Sequence, residues 1–342
     1  MNTTAYTAYT RRARGHRFAK SSGSPRNHAI MASAWTRSTP APMALHMGLR
    51  LARTRPCQSL ASRRRGGHAG RSLIRPRLKS VAIALSGTLL FCVGSRIVER
   101  RFLFPTGDVH SAPVPSGFVE RRLIARDGVV VRALELRAPS ATSAVVVHFH
   151  NNRERAEHSA EVAQELAARG LGVVLVEYRG YGVATNASPS EDGVYADAEA
   201  VLDMLAARGV GPERIVLWGT SLGTGVAAEM ARRGRGGRLV LVSPYTSIPD
   251  LVTDVVPFVP ASLLLADHFD TLAKAPSIAI PTLIIHGDAD EIVPFRMGER
   301  VTAAIPGARL LRVAGGHHGD LLQRAHTSIV DAIAGGAAGP VS

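Results

Sequence analysis

Three short runs in this chain are apolar almost throughout: Ala144–His150 (AVVVHFH), Gly172–Tyr178 (GVVLVEY) and Arg214–Trp218 (RIVLW). A strand with one wet face alternates apolar and polar residues. An uninterrupted run belongs to a strand covered on both faces. Stretches of helical length, Glu154–Arg169, Gly193–Arg208 and Leu222–Arg233, separate or follow the runs. Such an alternation demands βαβ units, and so an α/β fold: a mostly parallel central sheet with helices on both faces. Arg238–Val242, Thr282–His286 and Ala308–Val313 extend the sheet, with helices near Phe295–Ala304 and Leu321–Ala334. Phe118–Ala125 and Val129–Arg137 flank Arg126-Asp127-Gly128 and read as a hairpin with an Asp-Gly turn. Only Ser243–Ser277 breaks the rhythm. Pro244, Pro257, Pro260 and Pro276 punctuate an apolar stretch, Val252–Leu265, which predicts a short cap insert over a site.

Charge divides the chain. Residues 1–80 carry 17 Lys and Arg and no acidic residue, which leaves 24 basic and all 27 acidic residues for the remainder. The formal net charge of +14 therefore belongs to the N-terminal extension, and the rest is slightly acidic. That excludes a protein coating nucleic acid through its globular part, and no nucleic-acid partner is expected. Residues 1–80 lack a hydrophobic period and are expected to be disordered. A plain cytoplasmic extension, or a start at Met43 or Met47, competes with a tail for anionic partners. Val81–Ser95 (VAIALSGTLLFCVGS) is 15 residues without a charge, preceded by Arg71, Arg75, Arg77 and Lys79. This predicts a signal anchor or signal peptide over 81–98, with the basic side in the cytoplasm. The remaining domain, 99–342, is then expected outside the cytoplasm, or secreted after cleavage near Val93 and Ser95. Phe91 before Cys92 is too large for a lipoprotein signal. Both cysteines, Cys57 and Cys92, precede the domain, which excludes a cysteine nucleophile or a cysteine-based zinc site within it.

Gly219-Thr220-Ser221-Leu222-Gly223 follows the strand RIVLW and opens a helix. This is the setting of a nucleophile elbow, a turn so tight that only small neighbours fit around the exposed serine. A serine hydroxyl needs a base, usually a histidine oriented by a carboxylate. Downstream, the strand TLIIHG runs into Asp288-Ala289-Asp290-Glu291. Farther on, Val313-Ala314-Gly315-Gly316 leads to His317-His318. The order Ser, acid, His is that of a sheet-borne triad, with each group at the carboxyl end of a strand. His148 and His150 share a strand face and, with His317, raise a metal reading. No carboxylate clusters with them, so no metal is expected.

These motifs together resemble the α/β-hydrolase-fold serine hydrolases, in particular the alpha/beta-hydrolase domain-containing subgroup with membrane-anchored and depalmitoylase-type members. Tyr178-Arg179-Gly180-Tyr181-Gly182, Pro189–Gly193 with Asp197-Ala198, the elbow Gly219–Gly223, Ser243–Ser247 (SPYTS) and His286–Pro294 recur in the family's order over about residues 97–335. The resemblance implies Ser221 as nucleophile, Asp290 as acid (Asp288 and Glu291 nearby) and His318 as base, with His317 the alternative. It implies an oxyanion hole from Leu222 and from Asn152, in His150-Asn151-Asn152-Arg153. There Asn151 stands where the family has glycine, and is expected to use asparagine's tolerance of left-handed backbone. Arg179 and Tyr181 are expected to brace loops, and Asp197 to orient one. The implied function is cleavage of a carboxylic ester or thioester of small or lipid-like acyl character, without a cofactor. The alternatives are a peptidase or amidase of the same fold, or a silent membrane-tethered binding protein. The charge break gives one direct test. With the protein expressed in a bacterium, protease added to spheroplasts should digest the 99–342 domain and spare the basic tail; a domain protected in sealed cells reverses the orientation.

Overall fold

The computed structural model describes residues 99–106, 113–182 and 187–335. The expected extension (1–80) and the anchor or signal segment (81–98) lie outside the described residues. Among the described residues, no helix is long and apolar enough to cross a membrane. The strands are β1 (Val119–Ile124), β2 (Val130–Leu136), β3 (Val145–Phe149), β4 (Gly172–Glu177), β5 (Ile215–Thr220), β6 (Arg238–Val242), β7 (Thr282–Gly287) and β8 (Arg309–Val313). They form one eight-stranded sheet in the order β1-β2-β4-β3-β5-β6-β7-β8. β1 and β2 are the antiparallel hairpin, β2 pairs antiparallel with β4, and every other pair is parallel. β3, β4 and β5 are buried at every position, as their unbroken apolar runs require.

The helices are α1 (Ala160–Ala168), α2 (Glu191–Ala207), α3 (Leu222–Arg232), α4 (Ile248–Val255), α5 (Ala261–Leu264), α6 (Thr271–Lys274), α7 (Phe295–Ala304), α8 (Leu321–Arg324) and α9 (His326–Ala334). Alternate residues of each strand point to opposite faces. Val145, Val147 and Phe149 meet α2, α3 and α7 in one core, with Val194, Val226 and Val301. Val146 and Trp218 meet α1 and α9 in the other, with Ala163 and Ile329. The helix expected from Glu154 starts later: a 3-10 turn, Ala156–Ser159, leads into α1. In that turn Glu157 faces inward and accepts a 2.7 Å hydrogen bond from Arg132 Nη1. The helix expected over Leu321–Ala334 is broken at Ala325 into α8 and α9.

The segment 243–277 carries α4, α5 and α6. Its apolar residues divide. Leu251, Val252 and Leu265 pack on the core of the α2–α3 face, while Val255, Val256, Phe258 and Leu263 face outward. Pro257 and Pro260 cannot continue a helix, so the chain leaves α4 through an apolar turn in which Val259 N–H donates to Val256 O at 3.2 Å. The return of this segment to the body is held by carboxylates. Glu99 Oε1 accepts the N–H groups of Ala266 and Asp267, both at 2.8 Å. Glu191 Oε2 accepts those of His268 and Phe269 at 2.7 and 2.8 Å. Asp267 Oδ1 in turn accepts the N–H of Glu191 at 2.8 Å.

A buried ion cluster ties the hairpin to the segment after β3. Arg132 on β2 donates to Glu120 on β1, Glu157 in the 3-10 turn and Glu177 at the end of β4, at 3.0, 2.7 and 2.9 Å. Its guanidinium is 2% exposed and the Glu177 side chain fully buried. Truncating the cation leaves buried carboxylates without a counter-charge. Arg132→Met is expected to lower unfolding free energy by about 3–5 kcal/mol, with partial recovery when Glu177→Gln is added. Urea unfolding of the two variants checks this.

Candidate active site

The elbow is built by steric exclusion. Ser221 sits between β5 and α3 at φ +50° and ψ −116°, a backbone that a residue with a Cβ rarely adopts. Its N–H donates to Val242 O on β6 at 2.9 Å, which locks the turn to the sheet. A Cβ at Gly219 would lie 2.4 Å from Gly223 O, and one at Gly223 only 2.0 Å from Phe149 O on β3. Neither position accepts a side chain. Thr224 closes the turn, with its N–H and hydroxyl donating to Ser221 O at 2.9 and 2.6 Å.

The sheet order brings the other groups to the same end. His318, after β8, puts Nε2 3.0 Å from Ser221 Oγ. Its Nδ1 lies 2.8 Å from Asp290 Oδ2 and 3.1 Å from Oδ1, in the loop after β7. A carboxylate only accepts, so the Nδ1 proton is turned to Asp290 and the Nε2 lone pair is left for the serine hydroxyl. The N–H groups of Ile292 and Val293 donate to Asp290 Oδ1 at 3.0 and 2.7 Å. Burial by itself would push the Asp290 carboxyl up. Hydrogen bonding from His286 and His318, the His318 charge and the Val293 N–H outweigh it and hold Asp290 well below the usual carboxylate range.

The chain is also similar to known proteins. An uncharacterized protein of Mycobacterium tuberculosis is 35% identical over 254 residues, 72% of this chain and 88% of its own length. A family model described as serine aminopeptidase, S33, matches residues 140–272. This chain is a hydrolase of the α/β-hydrolase fold. Lysophosphatidylserine lipase ABHD12 of Danio rerio is 32% identical over 177 residues, 46% of each chain. Among solved structures, an esterase of Pyrococcus furiosus shares the fold with a TM-score of 0.53, at 17% identity over 64% of this chain and 90% of that one.

The remaining sequence candidates divide between the surroundings of Ser221 and other contacts. His317 turns away: its Nδ1 meets Glu291 at 3.1 Å, and both side chains are more than half exposed. Asp288 is taken up by Arg312 and by the N–H of Gly315, at 2.8 and 2.7 Å. Leu222 heads α3, where its N–H has no acceptor within the helix. In the loop after β3, Tyr178 and Tyr181 hydroxyls donate to the carbonyls of His150 and Asn152 at 3.0 and 2.8 Å. The Asn152 amide donates to Phe102 O at 3.3 Å. Asn151 departs from the expectation. It is not among the positive-φ residues, and its side chain instead accepts the Arg153 N–H at 2.8 Å, a local turn that stands in for the glycine. His148 stacks on Trp218 at 3.8 Å and approaches Thr220 Oγ1 at 3.4 Å, and burial lowers its pKa. His150 stacks on Tyr178 at 4.1 Å, and burial lowers its pKa to about 4. Arg179 braces the loop after β4 through Asp197, whose oxygens it meets at 2.7 to 2.9 Å, and through Asp127 of the hairpin turn.

Three residues escaped the sequence reading. Ser243 is a second serine in left-handed backbone, at φ +52°, with its N–H bonded to Ile285 O on β7 at 2.9 Å. That conformation aims its hydroxyl at Asp290 Oδ2, 2.9 Å away. His286 is fully buried, with Nε2 2.9 Å from Val293 O and 3.5 Å from Asp290 Oδ2. A Cβ at Gly298 would fall 2.2 Å from its Nδ1, so α7 packs directly on this ring. Glu154 sits behind the β3 loop with one oxygen lacking a partner. Burial pushes its carboxyl up, against hydrogen bonding from Asn151 and the attraction of His318. The clues to Ser243 in the sequence are its place at the end of a strand beside the elbow and at the head of the SPYTS stretch. Ser243→Ala removes one donor from Asp290 and leaves a more basic partner for the imidazole. The expected result is a kcat about three- to tenfold lower at unchanged KM, with the acid limb of the pH profile displaced upward. His318→Ala is expected to leave only residual hydrolysis and His317→Ala most of it, measured on the same substrate.

Proposed function

We propose that this hydrolase cleaves carboxylic esters or thioesters through an acyl-enzyme on Ser221. The observation that carries the reading is the 3.0 Å approach of His318 Nε2 to Ser221 Oγ, with Asp290 Oδ2 behind the ring at 2.8 Å. Ser221 Oγ attacks the acyl carbon as its proton passes to His318 Nε2. Asp290 holds the ring and stabilises the imidazolium. The negative charge on the tetrahedral oxygen is taken by the N–H groups of Leu222 and Asn152. As the carbon–oxygen or carbon–sulfur bond breaks, His318 returns the proton to the leaving alcohol or thiol. Water then attacks the acyl carbon, gives a proton to His318, and the acid leaves as Ser221 recovers it. No cofactor enters these steps.

The names borne by relatives support an ester, because one is a lysophosphatidylserine lipase. The family model's description as a serine aminopeptidase favours a second reading, amide cleavage. A fluorophosphonate probe should label the protein, and Ser221→Ala should abolish both labelling and turnover. Against p-nitrophenyl esters and aminoacyl p-nitroanilides, the ester reading expects turnover of the esters, higher for acyl chains of about four to ten carbons than for acetate. Faster cleavage of the anilides would favour the amidase, and a folded protein that takes no label would favour a silent binding protein.

A further inference from the structure

Among the described residues, nothing covers the outward apolar surface of the 243–277 segment. Phe258 is 95% exposed, Leu263 83% and Val255 77%, with Val256 also exposed. From Val255 to Pro260 the chain reads VVPFVP, without a charge or a polar side chain. Solvent-exposed apolar side chains scattered singly are ordinary. Here they follow one another from the end of α4 through the proline-bounded turn into α5, a patch of the kind that marks a contact surface.

Two features on the page say what covers it. The first is where the preceding chain comes from. Glu99, whose carboxylate holds Ala266 and Asp267, follows the uncharged run Val81–Ser95 by only four positions. Leu263 stands three residues before Ala266, so it lies within about 11 Å of that tie along the chain. The described body therefore begins, at Glu99, beside the return of this segment. The second is the helical turn 99–103 itself, which presents Phe102 at 67% exposure together with exposed Arg100 and Arg101. Apolar side chains flanked by two guanidinium groups match acyl chains beneath anionic headgroups. The same turn touches the active site, since Phe102 O accepts the Asn152 amide.

We propose that Val255, Val256, Phe258, Leu263 and Phe102 dock into the surface of a lipid bilayer and hold the mouth of the Ser221 site against it. A lipid-borne acyl ester then reaches the serine without crossing bulk water. Only this last consequence rests on the ester-hydrolase reading.

The test uses the full-length chain with phosphatidylcholine–phosphatidylglycerol vesicles. An F258W probe, read as the difference from the parent protein with its Trp35 and Trp218, reports docking independently of catalysis. Its added emission should be quenched by brominated acyl chains and shielded from acrylamide once vesicles are present. The double variant F258D/L263D should lower the rate on a long-chain ester embedded in the vesicles by about tenfold or more. It should leave a soluble short-chain ester within about twofold. An F258W indole that stays open to acrylamide on vesicles overturns the proposal. So does one shielded without lipid as protein concentration rises, which would assign the patch to a second copy of the chain. Equal losses of F258D/L263D on both esters also overturn it. A parent protein inactive on both esters overturns the ester reading instead, and the F258W quenching still decides the docking.

Discussion

The first turn of α3 lies so close to the end of β3 that a methyl group at Gly223 would stand 2.0 Å from Phe149 O. This contact sets the rest of the site. It forces the chain through the strained backbone of Ser221, costing about 1–3 kcal/mol that the surrounding sheet must offset. It also brings the free N–H end of α3 against the loop that follows β3. That loop and the serine flank the point where the strand order turns back, β4 on one side of β3 and β5 on the other. A crevice opens outside the carboxyl ends of the strands at such a point. Ser221, Asp290 and His318 therefore meet because of the sheet order, although 97 residues separate the serine from the histidine.

Much of this was legible in the sequence because it follows from composition at a single position or within a single run. The unbroken apolar runs gave the buried strands, and Gly219 and Gly223 marked the close approach. The order of serine, acid and histidine followed strand ends. What stayed hidden depends on neighbours that only the folded sheet supplies. Ser243 meets Asp290 because β6 lies beside β7 and because its backbone is left-handed, and a serine codon announces neither. His317 and His318 are adjacent, and one peptide unit turns the first to Glu291 and the second to Asp290. The expectation for Asn151 failed because a side chain can accept a local N–H as an alternative to freeing the backbone. The 243–277 segment read as apolar throughout, but hydropathy did not tell Leu251, Val252 and Leu265, which pack inward, from Val255, Phe258 and Leu263, which turn outward.

The acid of the triad shows how a buried carboxylate is kept charged. Asp290 receives two backbone N–H groups, a serine hydroxyl and the His318 ring, while His286 stands behind it. Each donor favours the ionised form, and together they exceed the cost of burial. The arrangement also removes freedom: with both oxygens engaged, the carboxylate has one orientation, and the imidazole inherits it. Arg132 donates to three carboxylates from three elements at once, yet burial still pushes Glu177 up to about 7, with its Oε1 left without a partner.

The ties that return the 243–277 segment to the body have a consequence for how such proteins diversify. Glu99 and Glu191 grip the backbone N–H groups of residues 266–269, and no side chain of that stretch takes part in those bonds. A clamp on the main chain does not read the sequence it holds. Any residue except proline can occupy positions 266 and 268 without loosening it. Apart from Ala261 and Leu265, which pack inward, the segment between α4 and the clamp can thus vary while the catalytic groups, which hang from other strands, keep their geometry. What that segment presents to its surroundings can therefore change while the carboxylate grip stays as it is.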